Sequence, residues 1–178
     1  MKALTLTQPW ATLVAIGAKK IETRSWNTNY RGKLAIHAAK GFPQDAQHLC
    51  FVVPFRDYLG DYVKLNETYF GKHKFPLGAV IATCDLVKVI RIYANSNVPG
   101  KPELMFGDYS VGRYMWILEN VEVFPEPIPA KGALGLWDWS GLTLRAPGRA
   151  ESSRQNDVIQ QPEQIPLFQV DTNPAARR

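Results

Sequence analysis

Hydrophobic residues near the start of the chain follow first a strand pattern and then a helix pattern. Leu4 and Leu6 are separated by one polar residue, which is typical of a strand. From Trp10 to Gly17, apolar and small residues recur at i, i+3, i+4 and i+7, which predicts a short helix. Pro9 suits the first turn of that helix, and Gly17 is a typical residue for its end. The chain therefore begins with a strand and a helix.

Strict alternation over residues 21–26 and 33–39 predicts two further strands. In the first strand, one face carries Glu22, Arg24 and Trp26. In the second strand, we expect Leu34, Ile36 and Ala38 to point inward and Ala35 and His37 to point outward. If these two strands pair, His37 lies on the side of the sheet that carries Glu22.

The rest of the chain predicts a mostly β domain. Residues 42–76 are less regular, with a predicted helix at 44–53, and are interpreted as an insertion over a barrel. Apolar runs at 79–84, 86–93, 114–124 and 134–139 predict strands, and residues 95–112 form a loop rich in Gly, Pro and Asn. No parallel strand-helix-strand unit is evident. The fold class expected is α+β, mostly β: a small barrel of five or six mostly antiparallel strands with flanking helices.

Composition divides the chain into two parts. Residues 1–143 are predicted to form one domain, with the insertion at 42–76. From about residue 144 the sequence is dominated by Arg, Gln, Ser, Pro and Asp, which bury too little apolar surface to offset the entropy of ordering. Residues 144–178 are therefore predicted to be a disordered, flexible tail.

The net charge and the cysteines indicate which class of partner and which cellular compartment to expect. The formal net charge of +5 over 178 residues permits anionic partners without requiring them. Cys50 and Cys84 lack the spacing of a zinc site or a disulfide framework, so we expect a reducing compartment. No stretch approaches the length of a membrane span, and no leader pattern is present. The sequence predicts a cytoplasmic protein with no membrane association, metal or organic cofactor.

Residues 17–24, Gly-Ala-Lys-Lys-Ile-Glu-Thr-Arg, hold the main candidate chemistry. After the helix ends, a lysine is followed by a strand face that presents a carboxylate and a guanidinium about 7 Å apart. Such a face can open a basic groove for polar ligands, and the ring of Trp26 beside Arg24 could stack on a base. The alternative is a partly exposed ion pair on the barrel rim, with Trp26 in the core.

These residues match the motif Gly-x-Lys-x-x-Glu-x-Arg, and the chain resembles the ASCH family, the activating signal cointegrator homology domains. Further segments that look like this family are residues 6–11, 34–39, 78–82 and 127–132, so the resemblance covers about residues 3–140. It implies a PUA-like barrel of five or six strands with a cleft between the sheet and the first helix. Lys19, Glu22 and Arg24 are then expected to point into that cleft.

The resemblance also implies a function. ASCH domains resemble RNA-binding domains, some bacterial relatives cleave RNA, and another relative hydrolyses the amide of acetylated cytidine. The catalytic lysine of that amidohydrolase matches Lys19, but its partner threonine is replaced here by Glu22, so the activity does not transfer directly. If catalysis occurs, Glu22 activates water and Lys19 or Arg24 stabilises the oxyanion.

Eight further residues are candidates for ligand or RNA contacts. Gln8 could read a base edge and Trp10 could cover the base, although Trp10 fits a core position equally well. His37 could shuttle a proton or contact the ligand, or simply be hydrogen-bonded in the barrel. Candidate phosphate contacts are Arg31, Lys33, Lys40 and Lys131, and Trp26 is the candidate stacking ring.

A short apolar motif in the tail suggests a protein partner. Residues 164–168 read Gln-Ile-Pro-Leu-Phe and resemble the Gln-x-x-Leu-Phe peptide with which bacterial replication proteins dock on the sliding clamp. Leu167 and Phe168 would enter an apolar pocket while Gln164 contacts its rim, which would indicate a bacterial or phage protein. A chance match and an extra strand on the barrel are the alternatives.

Three functions therefore remain open from the sequence. The first is a protein that binds RNA or a modified nucleoside in the cleft. The second is a hydrolase of RNA or of a nucleoside amide that uses Lys19 and Glu22. The third is a protein adaptor without catalysis.

Overall fold

A computed structural model describes residues 1–60, 62–63 and 75–141. The strands are β1 Lys2–Leu6, β2 Ile21–Arg24, β3 Gly32–Ala38, β4 Ala79–Arg91, β5 Tyr114–Pro129 and β6 Leu136–Asp138. The helices are α1 Trp10–Ala15, α2 Gln44–Leu49 and α3 Phe55–Leu59, with a 3-10 helix at Glu103–Phe106. The predicted tail at 144–178 and its motif at 164–168 lie outside the described residues, so the clamp interaction stays a prediction.

The described strands form one curled, mixed sheet in the order β2-β5-β4-β3-β1-β6, a half-barrel. This confirms the predicted small α+β, PUA-like fold. Four of the five strand pairs are antiparallel, namely β1 with β6, β2 with β5, β3 with β4, and β4 with β5. The pair β1 and β3 is parallel, which the sequence did not indicate. The connection between them carries α1 and β2, so it has no repeated pattern that would reveal a parallel unit.

Two element boundaries differ from the sequence prediction. Residues 79–93 were expected to form two strands, but β4 runs unbroken from Ala79 to Arg91, with irregular register against β5. The helix expected at 44–53 is shorter, since α2 ends at Leu49, and a second short helix that was not expected, α3, begins after Pro54. Proline has no backbone N–H to donate to the preceding turn, so a continuous helix through this position is disfavoured.

The core lies on both faces of β3. Leu34, Ile36 and Ala38 pack with α1 on one face, as predicted. Ala35 and His37 were expected to point outward, but both are buried. On that face Ala35 packs with a smaller cluster that contains Trp139. An alternating pattern identifies two faces of a strand, but small or polar residues on the second face do not show that water reaches it.

Among the described residues, no helix is both long and apolar enough to span a membrane.

Candidate functional site

The turn after α1 directs Lys19 into the protein. Gly17 has a φ of 74°, a conformation that glycine adopts without steric cost, and it ends the helix as predicted. The backbone N–H of Lys19 then donates to Leu13 O over 2.9 Å. The side chain is buried, with a relative exposure of 1%. Lys19 therefore sits beneath the surface of the site.

Glu22 lies between two cations. Its Oε2 is 3.5 Å from Lys19 Nζ, and its Oε1 is 3.2 Å from Arg24 Nε, in an ion pair rather than an aligned hydrogen bond. Lys19 Nζ also donates to the carbonyl oxygen of Ile21. A buried ammonium needs such partners because leaving it unpaired costs several kcal/mol. The three motif residues form one charged cluster at the end of the half-barrel.

Arg24 connects this cluster to β1. Its Nη2 donates to Thr5 O over 3.0 Å, and its side chain is one-quarter exposed. The guanidinium thus binds an acceptor on β1 while it pairs with Glu22. The partly exposed ion pair that was the alternative interpretation of the sequence is therefore present, between Arg24 and Glu22. Its presence does not conflict with ligand binding by the same cluster.

A cleft of about 330 Å³ opens beside this cluster. Its walls include the rings of Trp10, Phe55 and Phe106, with Trp10 and Phe55 meeting edge to face at 6.2 Å. Glu22 and Asp108 supply carboxylates, and none of the described lining residues is Lys or Arg. The prediction of a basic groove here is therefore wrong: Lys19 and Arg24 neutralise Glu22 from behind, and the cleft itself presents carboxylate and aromatic groups.

One wall of the cleft is formed by residues 103–109, called the strap below, which the sequence did not reveal. The carboxylate of Glu103 accepts the backbone N–H groups of Lys20 and Ile21 over 2.8 and 3.1 Å. Burial, together with the neighbouring Glu103, raises the pKa of Tyr109, whose hydroxyl donates to Glu103 Oε1 over 3.4 Å. The strap is thus fastened to the beginning of β2.

Gly107 lets the strap approach β2 closely. A Cβ at this position would lie 3.1 Å from Thr23 Oγ1 and 3.0 Å from a ring carbon of Tyr109. Thr23 Oγ1 in turn accepts the backbone N–H of Asp108 over 3.1 Å. The strap therefore contributes Met105, Phe106, Gly107 and Asp108 to the cleft lining.

Three predicted contact residues do not face this cleft. Gln8 is fully buried, and its amide is used within the protein: Nε2 donates to Pro76 O, and Oε1 accepts from Thr12 N. Trp26 packs edge to face on Trp116 with a centroid distance of 4.7 Å, which is the core alternative. Arg31 is exposed and bonds the nearby carbonyls of Thr28 and Tyr30.

Three other predicted residues form a separate group. His37, Lys40 and Lys131 line a second pocket, which does not contain Glu22. The expectation that His37 lies on the side of Glu22 is wrong, because β2 pairs with β5 and not with β3. Burial lowers the pKa of His37. In the part of the chain that the structure describes, no group of three or more His, Cys, Asp or Glu side chains could hold a metal ion.

Comparison with known families settles the kind of domain. The profile of the ASCH domain matches residues 4–128, which is more than half of the chain. The chain belongs to the ASCH domain family. The matched span of this ASCH domain includes α1, the charged cluster, the strap and most of the sheet.

Two curated relatives of this ASCH domain are mammalian proteins with one name. Activating signal cointegrator 1 of Homo sapiens is 28% identical over 137 residues, which is 75% of this chain and 21% of the relative. Activating signal cointegrator 1 of Mus musculus is 26% identical over 137 residues, which again is 75% of this chain and 21% of the relative. The chain thus spans about a fifth of the length of these relatives.

The three charged residues of the ASCH motif occupy different positions relative to the cleft. Glu22 lines the cleft, Lys19 is buried behind it, and Arg24 spans from Glu22 to β1. The strap was missed because Glu103 contacts residues 82 and 83 positions earlier, and no local pattern predicts such a contact. Of the cleft lining, only Trp10 and Glu22 were candidates from the sequence.

Proposed function

We propose that this ASCH domain binds RNA, or a modified nucleoside, by taking a nucleobase into the cleft beside Glu22. The observation that carries the proposal is that Glu22, a largely buried carboxylate residue, lines a cleft whose walls include three aromatic rings. Every base offers a π face, and stacking on an aromatic side chain is worth about 1–3 kcal/mol per base. The cleft therefore suits a flat, largely uncharged ligand.

The charge around Glu22 favours a ligand with an amino group. Lys19 and Arg24 lie 3.5 and 3.2 Å from its two oxygens, and these two ion pairs hold the carboxylate in position. A carboxylate accepts hydrogen bonds and donates none, so it complements the exocyclic amine of cytosine and not the O4 carbonyl of uracil. We expect cytidine to bind more tightly than uridine, by about 1 kcal/mol or more.

The test is calorimetric titration of the full chain with cytidine and with uridine. Tighter binding of cytidine, with the difference reduced in a Glu22→Gln variant, supports the proposal. Equal binding of both nucleosides, or binding of neither nucleosides nor short RNA, contradicts it. Because Glu22→Gln removes the partner of a buried lysine, its folding must be verified by thermal melting.

A second pair of variants tests the cleft without disturbing the charged cluster. Met105 and Leu104 are adjacent and both exposed, but only Met105 lines the cleft. Met105→Glu should weaken ligand binding by adding a charge at the cleft wall. Leu104→Glu is the matched control and should leave binding unchanged. An equal loss in both variants contradicts the assignment of the cleft.

Hydrolysis at the same cleft is the second candidate, and one observation bears on it. Glu22 is the member of the proposed catalytic pair that lines the cleft, so in this second proposal it would activate water. Lys19 would act through Glu22, because its Nζ is already bonded to Ile21 O. Incubation with acylated nucleosides and short RNAs, followed by mass spectrometry, tests this candidate. Product that disappears in Glu22→Gln supports hydrolysis, and absence of product leaves a binding domain.

A further inference from the structure

The second pocket lies beside β3 and the segment that follows β5. Its volume is about 810 Å³, larger than that of the cleft. Thr5 and His37, which are partners in the parallel pairing of β1 and β3, contribute side chains from the sheet. Lys40, Lys131 and Gly132 contribute from the segments that follow β3 and β5.

This pocket is positively charged. Lys40 and Lys131 are both exposed, and neither forms an ion pair with any residue that the structure describes. No Asp or Glu is among its described lining residues. It therefore differs from the cleft, whose lining carries two carboxylates. Two unpaired ammonium groups at one pocket favour an anion.

His37 supplies an independent sign of a ligand. The residue is 2% exposed, and its Nε2 lies 3.0 Å from the carbonyl oxygen of Ala130. A carbonyl only accepts, so Nε2 carries the proton and donates, and Nδ1 of the neutral ring is left as an acceptor. Nδ1 is buried and has no hydrogen-bond partner among the described residues. An unpaired buried acceptor is costly, and a ligand donor at this position would remove the cost.

Gly132 keeps a side chain away from this acceptor. A Cβ on Gly132 would lie 2.6 Å from His37 Nδ1 and 2.8 Å from Thr5 Oγ1. Any other residue type would therefore collide with the imidazole. Thr5 Oγ1 is itself used, since it donates to Ala133 O and accepts from Trp137 Nε1. His37 is thus the polar group of the pocket floor that still needs a donor.

We propose that this pocket binds a ribose-phosphate unit of an RNA strand, with the phosphate on Lys40 and Lys131 and a ribose hydroxyl donating to His37 Nδ1. The phosphate is the anion that the two lysines favour, and the neighbouring ribose supplies the hydroxyl donor that His37 Nδ1 lacks. DNA has no 2′-hydroxyl, so it offers one donor fewer than RNA. The inference rests on the proposed RNA binding and adds to it a second contact outside the cleft.

Thr5 links the two sites structurally. Its carbonyl oxygen accepts from Arg24, which pairs with Glu22 at the cleft, and its side chain lines the second pocket. A free nucleoside uses the cleft alone. The second pocket therefore favours an RNA strand over a nucleoside as the ligand.

The experiment measures binding of a fluorescent RNA of about ten nucleotides by anisotropy over a range of salt concentrations. The test variant is Lys40→Gln with Lys131→Gln. The matched control is Lys88→Gln with Lys101→Gln, which removes the same charge at exposed lysines outside this pocket. The slope of log K against log salt should fall in magnitude by about 0.7 in the test variant, the value for the one phosphate that both lysines contact, and stay unchanged in the control.

His37 gives a readout that distinguishes RNA from DNA. The chain has three histidines, so the imidazole signals are resolvable by NMR, and the exposed His48 is an internal control. RNA should shift the signal of His37, and DNA of the same sequence should not. An unchanged salt slope, an equal fall in both double variants, or equal shifts with RNA and DNA overturns this inference.

These results separate the inference from the proposed function. If cytidine binds at the cleft and the lysine variants bind RNA as tightly as the wild type, only the second site is wrong. If the wild-type chain binds no RNA, the inference fails, whatever the nucleoside titrations show. If RNA binds with the expected lysine dependence while Met105→Glu has no effect, the cleft assignment fails and the second site stands.

Discussion

Arg24 donates a hydrogen bond to the carbonyl oxygen of Thr5 over 3.0 Å, joining β2 to β1 across the curled sheet. These strands lie four places apart in the sheet order β2-β5-β4-β3-β1-β6. The bond thus draws one edge strand of the half-barrel toward a distant strand, and the same guanidinium pairs with Glu22. Arg24 has a structural function whatever ligand the domain binds.

Replacement of Arg24 by Gln should lower the free energy of unfolding by about 1.5–3 kcal/mol, the usual range for a hydrogen bond to a charged group. Urea denaturation measures this loss. Arg31→Gln is the control, because Arg31 is exposed and bonds only nearby carbonyls. Equal stability of Arg24→Gln and the wild type would show that the bond to Thr5 contributes nothing.

The pair Lys19 and Glu22 should show strong energetic coupling. Each of Lys19→Met and Glu22→Gln removes one charge of the buried pair and leaves the other charge with only its second partner, Arg24 for Glu22 and the Ile21 carbonyl for Lys19. Breaking a buried ion pair costs up to about 3–5 kcal/mol. The double variant removes both charges, so its loss should be smaller than the sum of the single losses. A double-mutant cycle by urea denaturation at neutral pH measures the coupling. Additive losses would contradict the ion pair.

Gly132→Ala should destabilise the domain by about 1–3 kcal/mol, because the added methyl group collides with the imidazole of His37. Gly41→Ala is the matched control, since a Cβ at Gly41 meets no atom within 4 Å. Thermal unfolding compares the two variants. A destabilised control with an unaffected Gly132→Ala would refute the contact.

The strands could be predicted from sequence because their signal is local. Alternation marks residues 33–39 as a strand, and the glycine at position 17 marks the end of α1. Alternation does not report what covers the second face of a strand, so Ala35 and His37 were expected outside and are buried. The parallel pairing of β1 with β3 depends on the path of the whole chain and leaves no periodic trace.

The candidate site was predicted in part, for the same physical reason. The motif identified Lys19, Glu22 and Arg24, which do form one cluster. The sequence named Lys40 and Lys131 as phosphate contacts without locating them, and the structure places them at a different pocket from Glu22. The strap could not be found, because its contacts to β2 join residues more than 80 positions apart.

Both cysteines should be unreactive while the domain is folded. Burial raises the pKa of Cys50 and of Cys84 to about 12 from an ordinary value of 9.0. The thiolate is the reactive form, and at pH 8 a thiol with this pKa is ionised in only about one molecule in ten thousand. Labelling with an aromatic disulfide reagent should proceed only after denaturant is added. Rapid labelling of the folded chain would contradict the burial of these thiols.

The same shifts predict a loss of stability in alkali. Because the folded-state pKa of each thiol is raised above 9.0, the thiols' contribution to stability is complete below pH 9. It declines as the pH rises from 9 toward 12, where the unfolded chain releases these protons first. Cys84→Ser should show a shallower decline than the wild type in urea titrations above pH 9.

The central claim is that the cleft beside Glu22 is the ligand site, and the methionine methyl groups test it most directly. The chain has three methionines: Met105 lines the cleft, Met115 is buried and Met1 is exposed at the start of β1. NMR of the methyl-labelled full chain during titration with cytidine should show a saturable shift of Met105 while Met1 stays fixed. An unmoved Met105 signal at concentrations where calorimetry detects binding would contradict the account.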